Sequence, residues 1–264
     1  MNIVCSTILK IPQFRKRILA YLKAHYFHEI GHSLPLGNGY WVNLWQNDAY
    51  DSFSEIFIQQ EYFDYIPNTK INHIIDIGAH YGYFSLWLQS QYPKQNIHSL
   101  LIEASPSCAK SLARFVKDEK LKGKFKFLNR AVNDPSEDFT EFYDRPYMAA
   151  SLFSSLEQSD AKDVKTLKVE EVFHLMPPPF DLIKCDIEGS EWKFITNYKE
   201  LIKNTRYLLL EWHSWHSGGG GYKQLEKQLT KSNFHIVKSS TPTPAQGRSG
   251  FIGLFLAENL TFQN

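Results

Sequence analysis

The run Ile74-Ile75-Asp76-Ile77-Gly78-Ala79-His80-Tyr81-Gly82-Tyr83-Phe84-Ser85 constrains the fold more than any other part of the sequence. It reads as a buried strand passing straight into a turn gated by two glycines, Gly78 and Gly82, with an apolar helix behind it. Glycine is needed at such a turn where a Cβ would collide with a ligand lying on bare backbone. The first turn of the helix offers unsatisfied N–H groups to an anion. Asp76 puts a carboxylate at the end of the strand.

A turn of this build suits a bulky zwitterionic cofactor, and S-adenosylmethionine is the reading it favours. Its carboxylate would meet the helix N-terminus and its ammonium would face Asp76, directly or through water, with Gly78, His80 and Gly82 lining the turn. A dinucleotide turn reads Gly-x-Gly-x-x-Gly, so that backbone can approach a pyrophosphate. Counted from Gly78, that pattern requires glycines where His80 and Tyr83 stand, which disfavours nicotinamide and flavin.

Beyond the turn, apolar runs and helix-length segments alternate. Strands are expected at 72–77, 97–102, 124–129, 181–186, 206–211, 234–238 and 251–256, and helices at 82–91, 106–120, 189–200 and 222–231. Such alternation implies crossovers and an α/β fold with a doubly wound, mostly parallel seven-stranded sheet. The last two strands lack a helical connector and should close it as an antiparallel hairpin. Residues 1–70 read as a helical and hairpin cap, and residues 71–264 as the cofactor-binding domain. Within the cap, a helix is expected near 10–29, a hairpin around Gly37-Asn38-Gly39, and a helix from Ser52 to Tyr65.

Composition limits the partners. A formal net charge of +1 gives no bulk electrostatic case for nucleic acid. Cys5, Cys108 and Cys185 lie far apart without metal spacing, which reads as reduced thiols in a cytoplasmic protein. No run reaches the roughly 18 apolar residues of a membrane span, and Lys10, Pro12 and Arg15-Lys16-Arg17 interrupt any signal-like core at the N-terminus. Ile11, Phe14, Ile18, Leu19 and Leu22 among those cations make a basic amphipathic stretch. It is compatible with contact at an anionic membrane surface, although packing on the domain is the commoner fate.

In an open parallel sheet a ligand lies over the carboxyl ends of the strands. The second strand ends at Glu103-Ala104-Ser105, about 20 residues past the glycine turn, where an acid accepts hydrogen bonds from ribose hydroxyls. The third ends at Asn129-Arg130-Ala131, where an adenine edge would meet the Asn129 amide and the backbone near Ala131. The fourth ends in Asp186-Ile187-Glu188-Gly189-Ser190-Glu191, three carboxylates around a glycine beside the expected position of the transferable methyl. The fifth ends in Glu211-Trp212-His213, and His213, tuned by Glu211, is the best candidate for a general base, with Asp186 and Glu188 as alternatives. His213, His216 and Asp186 also make a loose two-histidine, one-carboxylate set, but that spacing on a loop rarely holds an ion, and no metal is expected. Tyr40, Trp41, Trp45, Tyr147, Met148 and Phe153 are apolar enough to roof an acceptor pocket or simply to pack on the sheet.

Taken together, DIGAHYGYFS, LIEASP, LIKCDIEGSEW and LLLEWH resemble the motifs of the FkbM-type methyltransferases over roughly residues 55–256. His80 stands where asparagine is more usual and Ala104 where proline is commoner, but the glycines and carboxylates are kept. The resemblance implies the class I methyltransferase fold and S-adenosylmethionine-dependent transfer, usually to oxygen of a sugar or natural product. Transfer to nitrogen or carbon stays open as an alternative, as does a catalytically silent binding domain.

Overall fold

The computed structural model describes residues 33–37, 39–44, 49–144, 161–214, 221–245 and 249–262. The helix expected near 10–29, Cys5, Trp45, the 147–156 segment and His216 lie outside them. A hairpin of β1 (Ser33–Gly37) and β2 (Tyr40–Asn43) leads into α1 (Ala49–Phe53), a π-helical turn at Ser54–Gln59 and a 3-10 turn at Phe63–Tyr65. The α/β body follows as β3 (His73–Ile77), α2 (Tyr83–Gln91), β4 (His98–Glu103), α3 (Pro106–Phe115) and β5 (Phe125–Asn129). A small hairpin, β6 (Phe139–Tyr143) with β7 (Ala161–Lys165), precedes α4 (Val169–Leu175), β8 (Phe180–Cys185), α5 (Glu191–Asn197) and α6 (Lys199–Lys203). The chain then forms β9 (Thr205–His213), α7 (Tyr222–Lys231), β10 (Phe234–Ser239), β11 (Thr243–Pro244) and β12 (Phe251–Asn259).

The main sheet runs β10-β12-β9-β8-β3-β4-β5, with β11 paired to β12 as a short eighth strand. From β5 to β9 neighbours are parallel, while β12 is antiparallel to both β9 and β10. The expected doubly wound sheet and its closing antiparallel strands are therefore present. The chain reverses at β3, so that β4 lies on one side of it and β8 on the other. Ligands bind beyond the strand ends at such a switch point.

Side chains alternate across the sheet with period two. Ile74, Leu101, Leu182 and Leu209 belong to one core, under α2 and α3 and the N-terminal segment. Ile75, Ile77, Ile183, Cys185, Leu208 and Leu210 belong to the other, under α5, α6 and α7. Both faces are covered, which is why these strands read as continuous apolar runs.

Val42, Leu44, Ala49, Tyr50, Phe53, Ile56, Tyr62 and Tyr65 share the first core with Ile71, Leu86 and Trp87, and the Tyr83 hydroxyl of α2 donates to the Asn43 carbonyl. The single helix expected over Ser52–Tyr65 is broken, because Gln60 adopts a left-handed conformation at φ 55°. The helix expected over 189–200 is two, hinged at Tyr198, whose buried hydroxyl donates to the Leu167 carbonyl.

Candidate active site at the strand ends

The alternation that places Ile74, Leu101, Leu182 and Leu209 on one face carries forward to polar residues two and four positions on. Asp76, Glu103, Lys184, Asp186, Glu211 and His213 therefore emerge on that same face. Ile77 pairs in register with Cys185, and Cys185 with Leu210, so β3 and β8 end level and β9 runs three residues further, to His213.

The glycine turn is tighter than a ligand alone would require. Gly78 and Gly82 both have positive φ, 72° and 77°. A Cβ on Gly78 would lie 1.6 Å from the Asp186 carbonyl oxygen, and one on Gly82 would lie 2.7 Å from the Phe115 ring. Glycine at these positions lets strand tip and helix close on one another. The N–H groups of Gly78 and Ala79 go to the Ile102 carbonyl, that of Gly82 to Ala79, and that of His80 to the Glu103 carboxylate at 2.7 Å. Glu103 accepts a second N–H from Ser105, also at 2.7 Å, so its two oxygens are each fixed by one backbone donor. Each oxygen retains acceptor capacity for a further donor.

Asp76 is wholly buried rather than open to the cleft. It accepts from the Ser85 hydroxyl at 2.8 Å, and its other oxygen lies 3.9 Å from the Lys184 ammonium. Burial pushes this carboxyl up to about 6 against the pull of Lys184 and Ser85. Lys184 is itself buried. Burial favours its neutral form, but Asp186, Asp76 and Glu211 outweigh that and hold the ammonium charged. It donates to the Gly78 carbonyl at 3.1 Å and to Asp186 at 3.4 Å, joining turn to strand end.

The acidic heart of the site lies beside it. Tyr62, delivered by the N-terminal segment, donates to Glu211 Oε2 at 2.8 Å and lies 3.4 Å from Asp186 Oδ2. Burial, then Asp186 and Glu61, keep the Glu211 carboxyl well above the usual range. Burial, then Glu61, Asp186, Asp51 and Glu188, push Glu55 up to about 8. His213 is buried with Nδ1 2.9 Å from Glu191 Oε1, an oxygen that also accepts the N–H groups of Ile187 and Gly189. Burial alone would lower the His213 pKa, yet Glu191, Glu188 and Asp186 hold it at about 10.

Several expectations change on this geometry. Glu191, Glu188 and Asp186 favour the charged form of His213, so it takes up a further proton poorly unless that charge is displaced. Asp76, fully buried, shapes the turn through Ser85 and Lys184. The Asn129 amide donates to the carbonyls of Glu103 and Ala104, and Ala131 is buried with its N–H and C=O paired to Lys165 and Leu167. These two residues hold the second strand's exit loop in shape. Glu188 sits in a left-handed turn at φ 52° next to Gly189 and contributes charge to the cluster. Tyr62 and Lys184 went unread in the sequence. Lys184 carried a signal, since a lysine within an otherwise apolar strand at Leu182-Ile183-Lys184-Cys185 demands a buried acid nearby.

S-adenosylmethionine fits these residues. Glu103 is a buried carboxylate that meets no cation among the described residues and keeps a lone pair on each oxygen for a vicinal diol, while Asp186 and Glu211 offer negative charge to a cationic centre. Among solved structures, the chain is similar to Streptococcus pneumoniae Sp1610 in complex with S-adenosyl-L-methionine (14% identity, 72% of this chain and 67% of that one, TM-score 0.42). It is also similar to M. capricolum TrmK with S-adenosyl-homocysteine (14%, 77% and 68%, 0.46) and to Aeropyrum pernix fibrillarin with natively bound S-adenosyl-L-methionine (12%, 73% and 68%, 0.43). Of a further Sp1610 structure the chain spans 65%, just under two thirds. No curated protein matches the sequence. The methyltransferase FkbM domain, however, matches residues 76–238, well over half of the chain and the whole span from the buried Asp76 to β10. S-adenosylmethionine is the cofactor of that family. The matched span takes in the glycine turn locked on β8, the acid ending β4 and the acidic cluster ending β8 and β9, and the chain belongs to the FkbM methyltransferase domain family.

Proposed function

We propose that this S-adenosylmethionine-dependent methyltransferase methylates a hydroxyl of a small molecule, a sugar or natural product. The observation that carries the reading is the Asp186–Glu211 pair, two carboxylates fixed by one tyrosine hydroxyl at the ends of adjacent strands. An alcohol is a weak nucleophile until its proton is drawn off, and a carboxylate pair at the reacting end of the cleft supplies that pull. When bound, the cofactor supplies a methyl group on a sulfonium. Glu103 would hold the ribose hydroxyls, Lys184 keeps the Gly78 carbonyl and Asp186 in one place, and Asp186 with Glu211 would draw the acceptor's proton. Positioning in a dry site accounts for most of the rate. The formal net charge of only +1 supports a small acceptor over a nucleic acid.

The test is a panel assay with purified protein, S-adenosylmethionine and sugars, polyols, phenols, amines and transfer RNA, following S-adenosylhomocysteine release and product by mass spectrometry and NMR. The expected product carries a methyl ether. A methyl group on nitrogen, carbon or RNA, with no ether from any hydroxyl acceptor, overturns the proposal.

A further inference from the structure

We propose that Asp186, Glu211 and His213 form a divalent cation site, one that takes a hard or borderline ion such as manganese. One oxygen of Asp186, one of Glu211 and one ring nitrogen of His213 all lie within 4.8 Å of one another. His213 Nε2 stands 3.8 Å from Glu211 Oε1 and 4.0 Å from Asp186 Oδ1. Those gaps are too long for hydrogen bonds and suit donors on either side of an ion at about 2.1 Å from each.

Each of the three side chains is also held from behind. Asp186 Oδ2 is engaged by Lys184 and Tyr62, Glu211 Oε2 by Tyr62, and His213 Nδ1 by the fully buried Glu191. The outer atom of every member is tied, and the inner atom points to a common centre. A ligating histidine whose other nitrogen is oriented by a carboxylate is the usual outer arrangement of a metal site. Asp186 and Glu211 keep 18% and 15% of their side-chain surface exposed, leaving one side of the centre open to water or an acceptor oxygen. Two carboxylates and an imidazole are an oxygen-rich, borderline donor set.

The ion's use rests on the proposed hydroxyl methylation; its binding does not. With the ion bound, Asp186 and Glu211 act on the acceptor's proton through it: a hydroxyl on the ion gives its proton to water more readily. Its oxygen then bonds to the methyl carbon as the carbon–sulfur bond breaks and the thioether leaves.

The experiment is manganese titration of the EDTA-stripped full-length protein, read by electron paramagnetic resonance. The expected result is loss of the free-ion signal at about one ion per chain, with a nitrogen coupling from imidazole that His213→Gln abolishes. Glu191→Gln and Tyr62→Phe, which leave all three ligands in place, should weaken binding about 10–100-fold. No binding to the native protein at millimolar manganese, or binding without nitrogen coupling and indifferent to Glu211→Gln and His213→Gln, overturns the site. Stripped protein that forms the methyl ether at full rate overturns the ion's catalytic use and leaves the methyl transfer standing.

Discussion

At the scale of single residues, the site concentrates charge that the fold must restrain. Glu55 is the clearest case. Its folded value, about 8, lies above its ordinary 4.5 because burial and then four neighbouring acids disfavour the anion. The sign follows from linkage. Protonated Glu55 stabilises the fold fully below pH 4.5, and that contribution is lost as pH rises through about 8. Glu55→Gln, neutral throughout, should therefore melt close to the native protein near about pH 5 and clearly above it near about pH 9. Thermal denaturation at both values, in EDTA, checks this; equal offsets at the two would show that Glu55 is not held protonated. Gly78 makes the second residue-scale prediction. Gly78→Ala forces a Cβ onto the Asp186 carbonyl as well as a left-handed φ, so it should cost roughly 3 kcal/mol or more and be seen as a lowered denaturation midpoint. The glycines, Glu103, Asp186 and His213 were legible in the sequence because strand ends and turns mark themselves. The rise in the His213 pKa and the burial of Asp76 were not. Both depend on what packs from other elements, on Glu191 across the turn and on Lys184 across the sheet.

Among the elements, the strands of the main sheet were the most legible, since each is an apolar run bounded by turn residues. β9 exceeded its expected range at both ends, running to His213 because it pairs with β12 as far as Ile252. The β6–β7 hairpin escaped notice for the opposite reason. Only Phe142 and Val164 of its residues are buried, too few to leave an alternating pattern. The segment around α1, expected as part of a helical and hairpin cap, packs into the first core and carries Tyr62 into the site. Removing residues 1–50 takes away Val42, Leu44, Ala49 and Tyr50, all buried. The truncated protein should lose its cooperative melt or unfold at much lower temperature, as differential scanning calorimetry would show. A fragment with native stability would mean that these residues are a detachable cover.

For the molecule as a whole, the order of strands in space differs from their order in the chain. β12 is the last long strand to appear in the sequence, yet it lies inside the sheet, between β9 and β10, and its Ile252 stands opposite His213. The strand that carries Glu211 and His213 therefore has an open edge until residues 251–259 arrive. During synthesis this sets an order of events. The glycine turn, with β3, β4 and β8, has its partners early, while the end of β9 waits for β12, some forty residues further along the chain. An incomplete chain halted before that point would present a bare apolar edge, the kind of surface that quality-control machinery and other unfinished chains recognise. The strand end that bears Glu211 and His213 thus gains its second neighbour only once residues 251–259 have been made.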